Sequence, residues 1–336
     1  MIYDRYYYSK LNNREKNAYK KIYTAMQNYE SSVTINGFAE TDIPKLMSAI
    51  NFDNPHLFFV DFHYEFHSGL FGQAIKLEYT YNKSDTVILT EKVKKVCNKM
   101  LSKVTGKTKF EKELSLHDIL ARNVLYDEVA KNNLLKFHAR SNTILGVLFF
   151  KTAVCEGIAK IFKFLLNALD IKCVVVKGEA ADGLSGNESS DALHAWNMVK
   201  IDGRPYHVDL TWDINLSDKN IVRHDYFNLT DKDISIDHRI DKNLPFCKAY
   251  DDNYFYKNGL VVTKKADLRR IVVDKIKKGE KSVEFKISDG VFENDSDIFF
   301  TVKNGVDSAV IGQRNYRLWG TAQSKQAVCC FMWEVR

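Results

Sequence analysis

Residues 152–170 read Thr-Ala-Val-Cys-Glu-Gly-Ile-Ala-Lys-Ile-Phe-Lys-Phe-Leu-Leu-Asn-Ala-Leu-Asp. Cys155, Ile158, Ala159, Phe162, Leu166 and Leu169 recur at helical spacing, and Ile161 and Leu165 add a second apolar face. A helix that is apolar nearly all round belongs in a core. Cys155 falls at or near its first turn. The unpaired N–H groups there and the positive end of the helix dipole favour an anion. A thiolate in that position is stabilised and nucleophilic. Taken alone, the position also suits a small buried apolar cysteine.

Downstream of this helix, Ile171–Lys177 reads as a strand with a Val174–Val176 run, followed by a polar loop over Glu179–Asp191. His194–Ile201 and Tyr206–Trp212 then read as an antiparallel hairpin. Proline fits a turn better than a ladder, so Asp202-Gly203-Arg204-Pro205 is expected to form a four-residue loop with Ile201 facing Tyr206. In such a hairpin, facing residues sum to an odd number. His194 and Asp209 then share a face, and an offset or bulge would bring them into contact. Asp191 and Asp213 compete with Asp209 as partner of the histidine. A nucleophile, a base and a carboxylate that orients the base make up the general logic of a catalytic triad.

The flanking segments read as smaller α+β modules. Tyr19, Ile22, Tyr23 and Met26 predict a helix over about 14–29. Leu57–Phe66 and Gln73–Tyr81 predict a hairpin, and Val93, Val96, Cys97, Met100, Leu101 and Val104 a further helix. Leu116, Ile119, Leu120 and Val124 predict a helix ahead of Cys155. Toward the C-terminus, Leu268, Ile271, Val272 and Ile276 line a helix. Leu260–Thr263, Ser282–Ile287, Ile298–Val302 and Ala327–Val335 read as strands. The expected division is 1–110, 111–245 and 246–336.

Three motifs together, Ala153-Val-Cys155-Glu156-Gly157-Ile-Ala-Lys160, His194-Ala-Trp196-Asn197 and Tyr206-His-Val-Asp209-Leu-Thr-Trp212-Asp213, resemble the transglutaminase-like superfamily. The nearest subgroup is the bacterial transglutaminase-core proteins related to kyphoscoliosis-type peptidases. Leu116-His117-Asp118-Ile119, Tyr126-Asp127, Tyr226-Phe227-Asn228 and Asp237-His238 extend the resemblance across about 115–240. It implies an α+β fold with a papain-like core, in which the helix bearing the nucleophile packs on an antiparallel sheet. It also implies Cys155 as nucleophile, His194 as general base and acid, and Asp209 as the residue that orients His194. The chemistry implied is acyl transfer through a thioester. Hydrolysis or deamidation is expected ahead of cross-linking, because bacterial members are often peptidase-like. Asn142 is a candidate second oxyanion donor beside the Cys155 N–H. Trp196 and Trp212 alternate with the motif positions and are candidates for core or substrate-groove wall. The chain departs from the common pattern at Ile158, where the subgroup usually carries an aromatic residue, and in Ser141–Gly146.

Composition narrows the alternatives. The 336 residues are 45% hydrophobic and 27% charged, as in an ordinary globular protein of about two to three domains. No run of 18 apolar residues predicts a membrane span. The N-terminus carries no apolar signal segment, which predicts a cytoplasmic protein if Met1 is the native start, and a secreted or cell-surface one if the chain was trimmed. The six cysteines form no C-x-x-C pair and read as reduced thiols, and no cofactor or metal is expected. Residues 257–286 hold ten Lys/Arg against four Asp/Glu, which equals the whole net charge of +6. This stretch is a solvated face or a site for an anionic partner. Lysine outnumbers arginine 37 to 12 and no nucleic-acid fingerprint accompanies the charge, so no specific nucleic-acid binding is expected. The expected partner is a protein or peptide substrate. The competing reading is a non-catalytic protein that docks a peptide or anionic polymer on the same fold.

Overall fold

The apolar helix expected at Cys155 forms over Cys155–Ala168 and sits at the centre of the core, with Ile158, Ile161, Phe162, Leu165 and Leu166 each at most 1% exposed. In this computed structural model, residues 5–69, 72–132, 140–181, 191–219, 221–240, 243–310, 315–321 and 323–335 are described. The N-terminal region is a three-stranded antiparallel sheet of β1 (Ser32–Thr34), β2 (Val60–Gly69) and β3 (Gly72–Tyr79), in the order β1-β3-β2. Helices Asn13–Asn28, Ile43–Asp53 and Lys83–Leu101 accompany it. The first opens on a capping box, in which Asn12 accepts from the Glu15 N–H and Glu15 reaches back to the Asn12 N–H.

Helix Lys109–Ala121 follows, and then β4 (Leu125–Tyr126) pairs parallel with β5 (Thr152–Ala153), which delivers the chain to Cys155. The central sheet holds β6 (Lys172–Ala181), β7 (Asp191–Ile201), β8 (Arg204–Val208) and β9 (His238–Arg239) in the order β8-β7-β6-β9, with every pairing antiparallel. The Cys155 helix packs across β6 and β7. One apolar cluster runs from Leu11 to Phe227. A second, from Phe255 to Trp333, fills the C-terminal region. There, β10 (Val261–Val262), β11 (Ser282–Ile287), β12 (Tyr316–Gly320) and β13 (Val328–Val335) order as β10-β11-β13-β12 beside helices Lys265–Lys277 and Asp295–Ala309. The architecture is therefore the mixed α and β arrangement expected, with the Cys155 helix laid on an antiparallel sheet.

Several local expectations are corrected. The β7–β8 loop has two residues, with Ile201 facing Arg204. Asp202 and Gly203 both have positive φ (44° and 91°), the backbone of the tight Asp-Gly hairpin turn. Pro205 lies within β8, an edge strand, where a ladder accepts proline. Strand pairing ends at Val208, and Leu210–Leu216 is a helix, so Trp212 is helical. Ile298–Val302 is helical too, inside Asp295–Ala309, because a short apolar run does not distinguish a strand from a buried helix face. Strands β6 and β7 take over both ends of the expected polar loop. Residues 182–190 and the Asp191 side chain lie outside the described residues.

In the basic stretch, Lys257 pairs with Asp252, Lys265 with Asp297, Arg270 with Asp274 and Lys275 with Glu280. These pairs offset part of its charge. Among the described residues, no helix is long and apolar enough to cross a membrane.

Gly157 lets a neighbouring segment approach the Cys155 helix at backbone distance: a Cβ there would meet the Ser141 carbonyl at 2.2 Å and the Thr143 carbonyl at 3.1 Å. Neither obstacle is the end of a flexible side chain. Gly157→Ala is expected to destabilise the protein by about 1–3 kcal/mol through overpacking. Urea unfolding would read this, and an unchanged midpoint would contradict the close approach.

Candidate active site

Cys155 is the first residue of its helix, after an extended Val154. Its N–H therefore has no acceptor within the helix. The thiol is partly exposed, whereas Cys97, Cys173, Cys247, Cys329 and Cys330 are buried. Tyr7 and Phe52, from the N-terminal region, join Cys155 in a small cluster with Ala159, Val175 and Ala195. Asn51 Nδ2 donates to Glu156 at 3.0 Å, and Lys160 lies 2.6 Å from the same carboxylate oxygen. The start of the helix is thus held by polar contacts as well as by packing.

His194 stands on β7 and Asp209 just beyond β8, as the N-cap of Leu210–Leu216. In the hairpin register, Asn197 faces Val208, which places Asp209 two positions along from His194 on the same face. The bend from strand to helix closes the gap: His194 Nε2 lies 2.7 Å from Asp209 Oδ2. Asp209 Oδ1 accepts from the Thr211 and Trp212 N–H groups at 2.9 and 3.2 Å. With Nε2 on Asp209, Nδ1 is the ring nitrogen left to face Cys155.

The electrostatics follow from this placement. Burial disfavours a charged His194. The Asp209 charge, the hydrogen bond to it and a hydrogen bond to Cys155 outweigh that and raise its pKa to about 10. Burial likewise opposes an ionised Asp209. The His194 charge and the hydrogen bonds from His194 and His238 prevail and hold it well below the usual carboxylate range. Desolvation pushes the thiols of Cys329 and Cys330 up to about 12.

The Asn142 carbonyl accepts from Lys160 Nζ at 3.0 Å, and the Ser141 carbonyl accepts from the Val154 N–H at 3.2 Å. The segment carrying Asn142 thus lies against the start of the Cys155 helix. Trp196 is 1% exposed, with its ring 6.1 Å from that of His194 and its Nε1 donating to His207 Nδ1 at 3.1 Å. It packs beneath the imidazole and is core. Trp212 lines a cavity of about 450 Å³ that opens beside His194, together with Tyr126, Leu193, Leu216 and Tyr226. Of the competing carboxylates, Asp213 points elsewhere, to His117 Nε2 at 3.0 Å.

His238 was not expected in the site. It is drawn there by the pairing of β9 with β6, and its Nε2 lies 3.0 Å from the same Asp209 oxygen that His194 contacts. The Asp237-His238 pair is the one sequence signal that pointed toward it. Among the described residues, three groups bring three donor atoms within 4.8 Å of one another: His194/Asp209/His238, His117/Asp118/His224 and His207/Asp231/Cys247. In the first two, imidazole–carboxylate contacts of 2.7–3.2 Å link all three members, and in the third His207 Nε2 lies 3.0 Å from Asp231 Oδ1.

Residues 91–210 match the family model described as the transglutaminase-like superfamily, a span that contains Cys155, His194 and Asp209. No curated protein matches the chain. Similar solved structures include one described as a TGase, 14% identical with a TM-score of 0.32, covering 54% of this chain and 50% of that one. Another is a protein from Cytophaga hutchinsonii provisionally described as a cysteine protease, 17% identical with a TM-score of 0.27, covering 44% of this chain and 61% of that one. The chain thus spans about half the length of the first and three fifths of the second.

The folded pKa of His194 lies above the ordinary histidine value of about 6.5. Its pairing therefore stabilises the fold fully below about pH 6.5 and loses that contribution as pH rises through about 10. Asp209→Asn is expected to remove this dependence. Unfolding free energies of wild type and mutant, measured at pH 6, 8 and 10, should converge toward the alkaline end. A constant difference across that range would contradict the pairing.

Proposed function

We propose that this chain is a cysteine-nucleophile acyl-transfer enzyme that acts on amide or peptide carbonyls, with hydrolysis or deamidation favoured over cross-linking. The observation that carries the proposal is the position of the His194 ring, between the Asp209 carboxylate on Nε2 and the Cys155 thiol on the other side. The transglutaminase-like match over 91–210 supports the same reading.

In this reading, the Cys155 proton already resides on His194 when the substrate arrives, and Sγ attacks the substrate carbonyl carbon as the thiolate of that pair. The carbonyl oxygen becomes an oxyanion, held by the Cys155 N–H, with Asn142 proposed as the second donor. The C–N bond breaks, His194 returns the proton to the departing amine or ammonia, and a thioester remains on Sγ. Water then attacks the thioester with His194 as base, and the acid and free thiol are released. Asp209 keeps the ring oriented and stabilises the imidazolium formed in each half-reaction. The cavity lined by Trp212, Tyr126 and Leu193 would take an apolar part of the substrate beside His194. Hydrolysis is preferred over cross-linking on the resemblance to bacterial peptidase-like members. The division proposed for the chain places this chemistry in residues 111–245.

The first test needs no substrate. Iodoacetamide is titrated against the protein between pH 5 and 9 and the label is located by mass spectrometry. Cys155 is expected to label at neutral pH ahead of Cys247 and Cys329, and His194→Ala to slow it by about tenfold or more. Labelling of Cys155 no faster than Cys247, or unchanged in His194→Ala, would remove the basis of the proposal. Glutamine peptides, with and without a primary amine, then separate ammonia release from amine incorporation, and Cys155→Ala should abolish both.

A further inference from the structure

Asp209 does not serve His194 alone. Its Oδ2 lies 2.7 Å from His194 Nε2 and 3.0 Å from His238 Nε2, so two imidazoles converge on one oxygen. His238 is 3% exposed, and its second nitrogen lies 2.6 Å from Asp237 Oδ1. The other oxygen of Asp237 accepts from the Tyr226 hydroxyl at 2.6 Å. An ionised carboxylate only accepts hydrogen bonds, so a ring set between two of them carries a proton on each nitrogen and is an imidazolium. The rings of His194 and His238 stand 5.5 Å apart.

We propose that His238 is a positioning residue for His194: a second positive ring on the same Asp209 oxygen limits how firmly Asp209 can hold the proton of His194. The inference rests on the cysteine-enzyme reading for its purpose. A catalytic base must release its proton as well as take it, and works best when its proton affinity is not far from the ambient pH. A buried carboxylate acting on His194 alone would drive that affinity higher. Burial disfavours a charged His238, but the hydrogen bonds to Asp209 and Asp237 and the Asp209 charge outweigh burial and raise its pKa, against an opposing contribution from the His194 charge. The ionisable groups around His238 are Asp209, Asp237, Tyr226, His194 and His207. His207 is itself paired with Asp231 at 3.0 Å, and Cys155 stands beyond His194.

The experiment follows the His194 ring in the 336-residue chain by NMR with nitrogen-15-labelled histidine, from pH 6 to 12. Wild type is compared with His238→Gln, which keeps an amide donor but removes the charge, and with Asp237→Asn, which leaves His238 in place but removes the anion that keeps it charged. The His194 midpoint is expected to rise by about one pH unit in His238→Gln, a tenfold gain in proton affinity, and by less in Asp237→Asn. Amide spectra and melting temperature establish that each variant is folded. If His238→Gln fails to fold, the direction of the shift in Asp237→Asn decides. A midpoint unchanged or lowered in the folded variants, even with a lower melting temperature, would reduce His238 to packing and overturn the proposal. The coupling is measured without substrate. If the midpoint shifts but Cys155 labels no faster than Cys247, the shared carboxylate stands and the enzyme reading falls.

Discussion

The site is organised around one constraint, which is that a fully buried Asp209 must have its oxygens satisfied. Leaving a charged carboxylate unpaired in a core would be strongly destabilising. Four groups satisfy it: two N–H groups at the start of Leu210–Leu216 on Oδ1, and the rings of His194 and His238 on Oδ2. The residue thus serves as N-cap and as ring anchor, and each use fixes the other. Holding Oδ1 on the helix turns Oδ2 toward β7, and the two imidazoles must come to it. The chain bends from strand to helix at this residue, so the end of β8, the middle of β7 and the short β9 are brought to one point.

Much of this was legible in the sequence, for identifiable reasons. The Cys155 helix was clear because its apolar residues recur at helical spacing over about four turns, and no strand pattern competes. The common face of His194 and Asp209 was also legible, although the expected loop was two residues too long. Parity protected the inference, since loops of two and of four residues both give odd sums, and the outcome depends only on which face each residue takes. Pro205 does not mark the turn, since it lies within the edge strand β8. Asp202-Gly203 is the stronger turn signal, because it supplies two residues able to adopt positive φ. His238 was out of reach for a different reason. Nothing local to Asp237-His238 indicates that a two-residue strand will pair Ala180 with His238 and carry the ring under Asp209.

The cysteine is positioned by parts of the chain well outside the matched segment. Tyr7 and Tyr8 offer their N–H groups to Asp53 at 3.1 and 2.8 Å, which ties the N-terminal helix Tyr6–Lys10 to Ile43–Asp53. From that second helix, Asn51 reaches Glu156 and Phe52 packs near Cys155. The opposite side of the Cys155 helix is closed by the Ser141–Thr143 backbone, at a separation only Gly157 permits. The thiol is therefore held between a helix pair before it and a close-packed segment behind it. This kind of clamping fixes where the thiol stands relative to the hairpin that carries His194.

The C-terminal region is coupled to the same geometry through a buried ionic cluster. Glu284, on β11, lies 2.8 Å from His224 Nδ1 and accepts from Arg223 Nε at 3.3 Å, while His224 Nε2 lies 2.9 Å from Asp118. His117 stacks 5.2 Å from His224 and joins Asp213, one turn after Asp209 in the same short helix. Asp213 also accepts from the Tyr226 N–H. Four carboxylates, Asp118, Asp213, Asp225 and Glu284, thus face three cations, His117, Arg223 and His224. Burial, then the nearby charges of Glu284 and Asp213, outweigh Arg223 and raise the Asp225 pKa, and burial raises that of Asp213 as well. A cluster of this kind contributes little net stability, since desolvation offsets most of its Coulomb gain, but it tolerates few alternative arrangements. Its structural effect is directional. It locks the helix that begins at Asp209 against both Lys109–Ala121 and β11, so the angle at which Asp209 meets His194 depends on side chains from the C-terminal sheet as well as from the hairpin itself.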